Sequence, residues 1–223
     1  MIYRDRKDAG QQLARHLHRF ADRDDVLVLA LPRGGVPVGF EVAKALHAPL
    51  DIFLVRKLGV PWHEEYAMGA IATGGVRVLN DDVIAALGID AETVDQVAAR
   101  EQRELLRREA VYRQGWSAAP IAGRTVILID DGLATGASMR AAIVALRRHG
   151  PAQVVVAVPV GAVETCRAIR ADADEVVCAA MPSAFGGVGR WYADFSQTGD
   201  AEVQELLAVA RGGDRHHGAE ASR

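Results

Sequence analysis

Residues Arg124 to Met139, RTVILIDDGLATGASM, constrain this chain more than any other stretch. They open on Val126–Ile129, an apolar, largely β-branched run of the kind buried on both faces of a parallel sheet. Asp130 and Asp131 follow, then Gly132, Leu133, Ala134, Thr135, Gly136, Ala137 and Ser138, and then a helical pattern from Met139 to Arg148. A Gly-rich turn that opens a helix exposes backbone N–H groups at the positive end of the helix dipole, which makes it an anion site. The Walker pattern is absent, because no Lys precedes Ser138. Carboxylates beside a phosphate repel it unless they face other groups, and the hydroxyls of a sugar diol are suitable donors to them. Phosphate and diol together describe a ribose 5-phosphate.

The surrounding chain repeats the same kind of unit. Val26–Leu31 is a second short apolar run, ending in Pro32-Arg33-Gly34-Gly35-Val36-Pro37 ahead of a helix over Val38–Leu46. Paired glycines expose backbone N–H groups to an anion, and Arg33 adds a fixed charge with a bidentate fork. Taken alone, these residues also fit a tight turn with a surface Arg. Ala48–Val55 reads as the next strand and delivers Arg56 and Lys57 at its end, where open α/β sheets bind ligands. Leu58–Tyr66 has no period and reads as a loop. Ala67–Thr73 and Val76–Leu79 read as the arms of a hairpin around Thr73-Gly74-Gly75.

Two helices follow, Asp81–Leu87 and a long one from about Asp90 to Gly115. The long helix repeats Val94, Val97, Ala98, Glu101, Leu105 and Tyr112 at helical spacing. Its mixed charges, Arg100, Glu101, Arg103, Glu104, Arg107 and Arg108, read as a solvated, salt-bridged face. After the central stretch, strands over Gln153–Pro159 and Glu175–Ala179 alternate with a helix over Val163–Arg170, which gives a parallel sheet with helices on both faces. At the N-terminus Asp5 can cap a helix to about Phe20. Met181–Gly199 collects Phe185, Arg190, Trp191, Tyr192 and Phe195, rings that can stack on a planar base or pack as core. A last helix spans about Ala201–Ala210.

Length and composition bound the function classes. With 223 residues and 50% hydrophobic content the chain can bury the core of one α/β domain. Its net charge of −3 gives no reason to expect nucleic acid. No apolar run approaches the ~18 residues of a membrane-spanning helix, and no signal-peptide pattern opens the chain, so a cytoplasmic protein is expected. Cys166 and Cys178 lack metal-site spacing and fit a reducing compartment as separate small buried residues. A helix-turn-helix and a G-x-S-x-G nucleophile turn are both missing.

The run from Asp130 to Ser138 resembles the phosphoribosyl pyrophosphate (PRPP) motif of the type I phosphoribosyltransferases: two acids, two variable residues, Ala or Asp, Thr-Gly, a small residue, and Thr or Ser. The resemblance implies a fold with a parallel β-sheet core flanked by helices on both faces, a flexible hairpin loop and a small hood. It implies a single domain over 1–211, its hood built from the N-terminal helix and about 181–211; the polar stretch 212–223, with His216-His217, reads as a disordered tail. It implies that Asp130 and Asp131 hold the ribose hydroxyls and, through ribose or water, an Mg²⁺ ion. Gly132, Leu133, Ala134, Thr135, Gly136, Ala137 and Ser138 would cradle the 5-phosphate. Arg33, Gly34 and Gly35 resemble the family's pyrophosphate loop, and Arg56 and Lys57 suit the same polyanion. Arg33, Lys57, Asp130 and Asp131 thereby become the catalytic set. The implied activity is a Mg-dependent transfer of the phosphoribosyl group from PRPP to a nitrogenous base, with pyrophosphate as product, in nucleotide metabolism and by a homodimer. A PRPP- or nucleotide-binding regulator without turnover is the alternative. Members acting on 6-oxopurines carry Asp where this chain has Ala134, whereas orotate- and adenine-acting members carry Ala.

Overall fold

The computed structural model describes residues 3–217, without the side chains of 64–65 and 213–217. Five parallel strands form the main sheet: β1 (Val26–Ala30), β2 (Leu50–Ile52), β6 (Thr125–Ile129), β7 (Gln153–Val160) and β8 (Glu175–Ala180), in the order β2-β1-β6-β7-β8. Three antiparallel strands, β3 (Val55–Val60), β4 (His63–Ala72) and β5 (Val76–Leu79), make a second sheet. The α-helices are α1 (Arg6–His16), α2 (Gly35–Leu46), α3 (Asp81–Ala86), α4 (Ala91–Arg113), α5 (Ala137–Arg147), α6 (Val163–Ile169) and α7 (Asp200–His217). The α/β architecture with helices on both faces of a parallel sheet is the one the alternation of elements predicts.

Burial explains the pattern. Every residue of β1 and β6 is buried, as expected for strands covered on both faces. Alternate side chains go to opposite sides. Val28, Ala30, Ile127 and Ile129 enter the core shared with Leu13 of α1 and Val42 of α2, while Leu27, Leu29, Val126 and Leu128 face Met139 and Ile143 of α5. A fully buried aliphatic side chain contributes about 1.5–3 kcal/mol, so this two-sided layer carries most of the fold. Local signals set the helix starts: Asp5 accepts from the N–H of Asp8, Asn80 from Val83 and Asp90 from Thr93. Helices α1 and α2 pack closely because Gly10 lies against Val38; a Cβ there would stand 2.7 Å from the Val38 carbonyl oxygen.

Several expectations shift. The strand expected over Ala48–Val55 ends at Ile52; Phe53 is buried, and the chain then turns into β3 of the second sheet. Arg56 and Lys57 therefore belong to an antiparallel strand, and the expected loop Leu58–Tyr66 is mostly strand, with register shifts between Leu58 and Val60. Helix α2 begins three residues earlier than expected, since Pro37 fits the first turn of a helix. Helix α7 runs on to His217, beyond the Ala201–Ala210 read from the pattern; the remaining tail residues, 218–223, lie outside the described residues. The cysteines are not separate: Cys166 and Cys178 form a disulfide between α6 and β8, with Cα atoms 6.8 Å apart. The sequence could not show this, because it depends on how α6 folds back on β8. Among the described residues no helix is long and apolar enough to cross a membrane.

Candidate active site

The site forms where the strand order reverses. β1 and β6 are parallel neighbours, paired Ala30 to Ile129 at their ends, and the chain leaves them toward opposite sides, to β2 and to β7. Their following loops diverge and leave a crevice at the carboxyl ends of the strands. The two loops interlock. Leu31 donates its N–H to the carbonyl of Ile129 at 2.8 Å. A Cβ on Gly35 would stand 2.7 Å from that same carbonyl oxygen, and one on Gly34 would run into Oδ2 of Asp131. The paired glycines are thus required by the approach of the acidic strand end. The peptide bond between Pro32 and Arg33 is cis.

The two acids have different surroundings. Asp130 lines the cleft with Arg56 and Ser138. Asp131 faces the hood: Arg6 of α1 places Nε 2.8 Å from its Oδ2, with side-chain exposures of 12% and 15%. Arg6 also donates to the carbonyl of Ser196 and lies over the Phe195 ring, 4.0 Å from its centroid. The hydroxyl of Tyr192 donates to the Asp131 carbonyl at 2.6 Å. The N–H of Asp131 donates to Oδ1 of Asp130. Burial pushes both carboxyls above the usual carboxylate range; the charge of Asp131 adds to the rise at Asp130, and Arg6 opposes it at Asp131.

The turn between β6 and α5 is held from beneath and open above. Leu133 donates to Val160 and accepts from Ala162, and Thr165 donates its hydroxyl to the carbonyl of Ala134 at 2.6 Å. Gly132 sits against Val188. Gly136, at φ 75°, caps α5 in the left-handed region that glycine alone enters without strain. Ala134, Thr135, Ala137 and Ser138 are exposed at the N-terminus of α5, the kind of helix end that suits an anion; the N–H of Ala137 donates to Oγ1 of Thr135 at 3.5 Å.

The cations are all engaged. Arg33 pairs with Asp200, the first residue of α7, at 3.6 Å. Asp200 also accepts from the hydroxyl of Tyr112 at 2.8 Å. Burial, followed by that hydrogen bond and the carboxylate charge, pushes the Tyr112 phenol up to about 12. Arg56 donates through Nε to Oε2 of Glu101 at 2.8 Å, and Arg100 holds the other oxygen of that carboxylate at 3.0 Å. Lys57 lines a second cleft with Arg56, Gly59, Glu101 and Ser138.

The structure thus brings Asp130, Ser138, Arg56 and Lys57 around adjoining clefts. Asp131 is turned to Arg6, and Arg33 to Asp200. Arg6, Glu101, Tyr112, Thr165 and Asp200 were not singled out as site residues from the sequence. Each sits on an ordinary helical segment, and only tertiary contact brings it to the site. Among the described residues no group of three or more His, Cys, Asp or Glu is placed to hold a metal ion.

A family model described as "Phosphoribosyl transferase domain" matches residues 1–196. A Mycobacterium tuberculosis protein, from strains H37Rv and CDC 1551 alike, carries a provisional phosphoribosyl transferase name. It is 49% identical over 206 residues, which are 92% of this chain and 46% of that protein. The chain therefore spans about half the length of the curated relatives it matches. The crystal structure of TT1426 from Thermus thermophilus is 42% identical with a TM-score of 0.85, covering 93% of this chain and 98% of that one.

Proposed function

The chain belongs to the phosphoribosyl transferase family, and on that premise we propose that it moves the 5-phosphoribosyl group of PRPP to a nitrogenous base, releasing pyrophosphate. The observation that carries this is the meeting of two Gly-rich loops at one strand reversal, with Asp130 and Ser138 on the same cleft as Arg56. In the transfer, the bond from the ribosyl carbon to the pyrophosphate oxygen breaks and its electron pair leaves with pyrophosphate. A bond to the base nitrogen forms, and the base gives up its proton. The protein has to fix the sugar and neutralise the departing polyanion.

This chain divides that work. The turn Ala134–Ser138 takes the 5-phosphate, with Thr135 and Ser138 as hydroxyl donors beside the N–H groups of α5. Asp130 accepts from the ribose diol. Asp131, already paired with Arg6, fixes the hood to the sugar-binding loop. Arg33, Arg56 and Lys57 stand on the pyrophosphate side, and the rings of Tyr192 and Phe195 lie on the hood side. With one carboxylate on the cleft and no cluster of ligands among the described residues, the donor set fits an Mg²⁺ ion that arrives on the pyrophosphate and keeps most of its water. Asp130 would hold it through ribose or water. Bound there, the ion supplies charge neutralisation to the leaving group.

The direct test is a screen of purine, pyrimidine and pyridine bases with PRPP and Mg²⁺, following pyrophosphate. Release with one class of base is expected. Asp130→Asn should weaken Mg–PRPP binding more than tenfold, about 1.4 kcal/mol or more. The engagement of Asp131 and Arg33 with protein partners favours one other reading, a PRPP- or nucleotide-binding regulator. Tight PRPP binding with no pyrophosphate from any base would select it.

A further inference from the structure

Helix α4 lies where no site element was expected. It packs against β3 and α7, and one face of it, Glu101, Leu105, Arg108 and Tyr112, follows helical spacing toward the site. Every member of that stripe touches something functional. Glu101 holds Arg56. Leu105 and Arg108 line the same cleft as Arg56, Asp130 and Ser138. Tyr112 binds Asp200, the partner of Arg33. The two arginines expected for the polyanion are therefore both organised by α4, one directly and one through Asp200.

We propose that α4 is the third wall of the pyrophosphate site and that Arg108 is a direct ligand of the pyrophosphate group, an assignment that rests on the transferase reading above. Arg108 is half-buried, and its Nε lies 2.8 Å from Oε1 of Glu104. Its neighbour Arg107 grips the same carboxylate through two bonds, at 2.8 and 3.0 Å, but is exposed and does not line the cleft. Both side chains of the pair remain partly open to water, where ion pairs are weak, so a polyanion can draw Arg108 away. Glu104 then keeps Arg107 and is not left without a partner. The guanidinium fork of Arg108 suits two phosphate oxygens at once. Beside Arg56 and Lys57 it adds the charge that a pyrophosphate demands and a ribose 5-phosphate does not.

Arg107 supplies the matched control. Calorimetric titration of the full chain with Mg–pyrophosphate, and separately with ribose 5-phosphate, would compare wild type, Arg107→Gln, Arg108→Gln and Arg108→Lys. Arg108→Gln is expected to lose at least tenfold in pyrophosphate affinity with ribose 5-phosphate affinity unchanged. Arg108→Lys should fall between it and wild type, and Arg107→Gln should match wild type with both ligands. Thermal unfolding of the variants checks that each is folded, and Arg108→Lys preserves the test if the Gln variant is not. Wild-type pyrophosphate affinity in Arg108→Gln, or an equal loss in Arg107→Gln, overturns the assignment. A wild-type chain that binds neither ligand overturns the transferase reading itself.

Discussion

Arg6 and Asp131, 125 positions apart, meet at 2.8 Å with both side chains largely withdrawn from water. The pair ties the first helix of the chain to the acid that ends its central strand. Removing one partner strands a charge in a dry place, which for buried pairs costs about 3–5 kcal/mol. Arg6→Met should therefore destabilise the protein by about 3 kcal/mol, and Arg6→Met with Asp131→Asn should recover much of the loss. Urea denaturation of the two variants decides it; a single variant as stable as wild type would remove the role assigned to the pair.

Gly35→Ala probes the interlocked loops. The added methyl would meet the Ile129 carbonyl at 2.7 Å and the Asp130 Cα at 3.0 Å, both backbone atoms at the end of β6. Neither can yield cheaply, so the cost should be about 1–3 kcal/mol, as for other overpacked sites. PRPP binding should fall with it. A variant with unchanged denaturation and unchanged binding would show that α2 can slide away from β6.

Thr165→Val keeps the shape of the side chain and removes the hydroxyl that holds the Ala134 carbonyl at 2.6 Å. One such hydrogen bond contributes about 1 kcal/mol. Ribose 5-phosphate affinity should drop by roughly that amount, about fivefold, while the global unfolding midpoint moves little. Unaltered affinity would mean that the turn is rigid without this contact.

Tyr112 ties stability to alkaline pH. Its phenol titrates at about 12 in the folded chain, against about 10 when unfolded. Between those values the folded state binds more protons than the unfolded one. The stabilisation is thus complete below about pH 10 and is lost as pH rises through about 12. Tyr112→Phe should show a shallower alkaline loss of stability than wild type. Parallel curves for the two proteins would contradict the shift.

Reduction tests the link between α6 and β8. Cys166 and Cys178 are separated by 12 residues, and closing a loop of that size stabilises a fold by about 3 kcal/mol in the chain-entropy account. A thiol reductant should lower the unfolding midpoint of wild type and leave Cys166→Ala/Cys178→Ala unchanged. Free-thiol titration of the unreduced, unfolded chain should count none.

What the sequence disclosed and what it withheld divide along the range of the interactions. Val126–Ile129 is a local signal, a β-branched run ending at an acidic pair, and the strand and turn lie where it points. The buried face of α4 holds Val94, Val97, Ala98, Glu101, Leu105 and Tyr112, the same residues that recur at helical spacing. Arg56 and Lys57 were expected at the end of a parallel strand, yet they open an antiparallel one, because apolar runs in either sheet look alike along the chain. Arg6 reads as one more charge on an amphipathic helix. Its partner is named only once β6 and α1 are packed, and the same holds for Arg108, whose pattern matches the solvent-facing Arg107 beside it.

Helix α5 is anchored at both ends. Its first turn follows the Gly-rich turn after β6, and just past its last turn His149 contacts the carbonyl of Thr73 at 3.1 Å, with the ring edge-on to Phe53. Its 11 residues make a rod of about 16 Å that runs from the Gly-rich turn at the crevice to the turn joining β4 and β5. The turn of the β4–β5 hairpin is therefore clamped to the far end of the same rod. The opposite end of the second sheet, the β3–β4 turn beyond the register shifts at Leu58–Val60, lies away from this anchor.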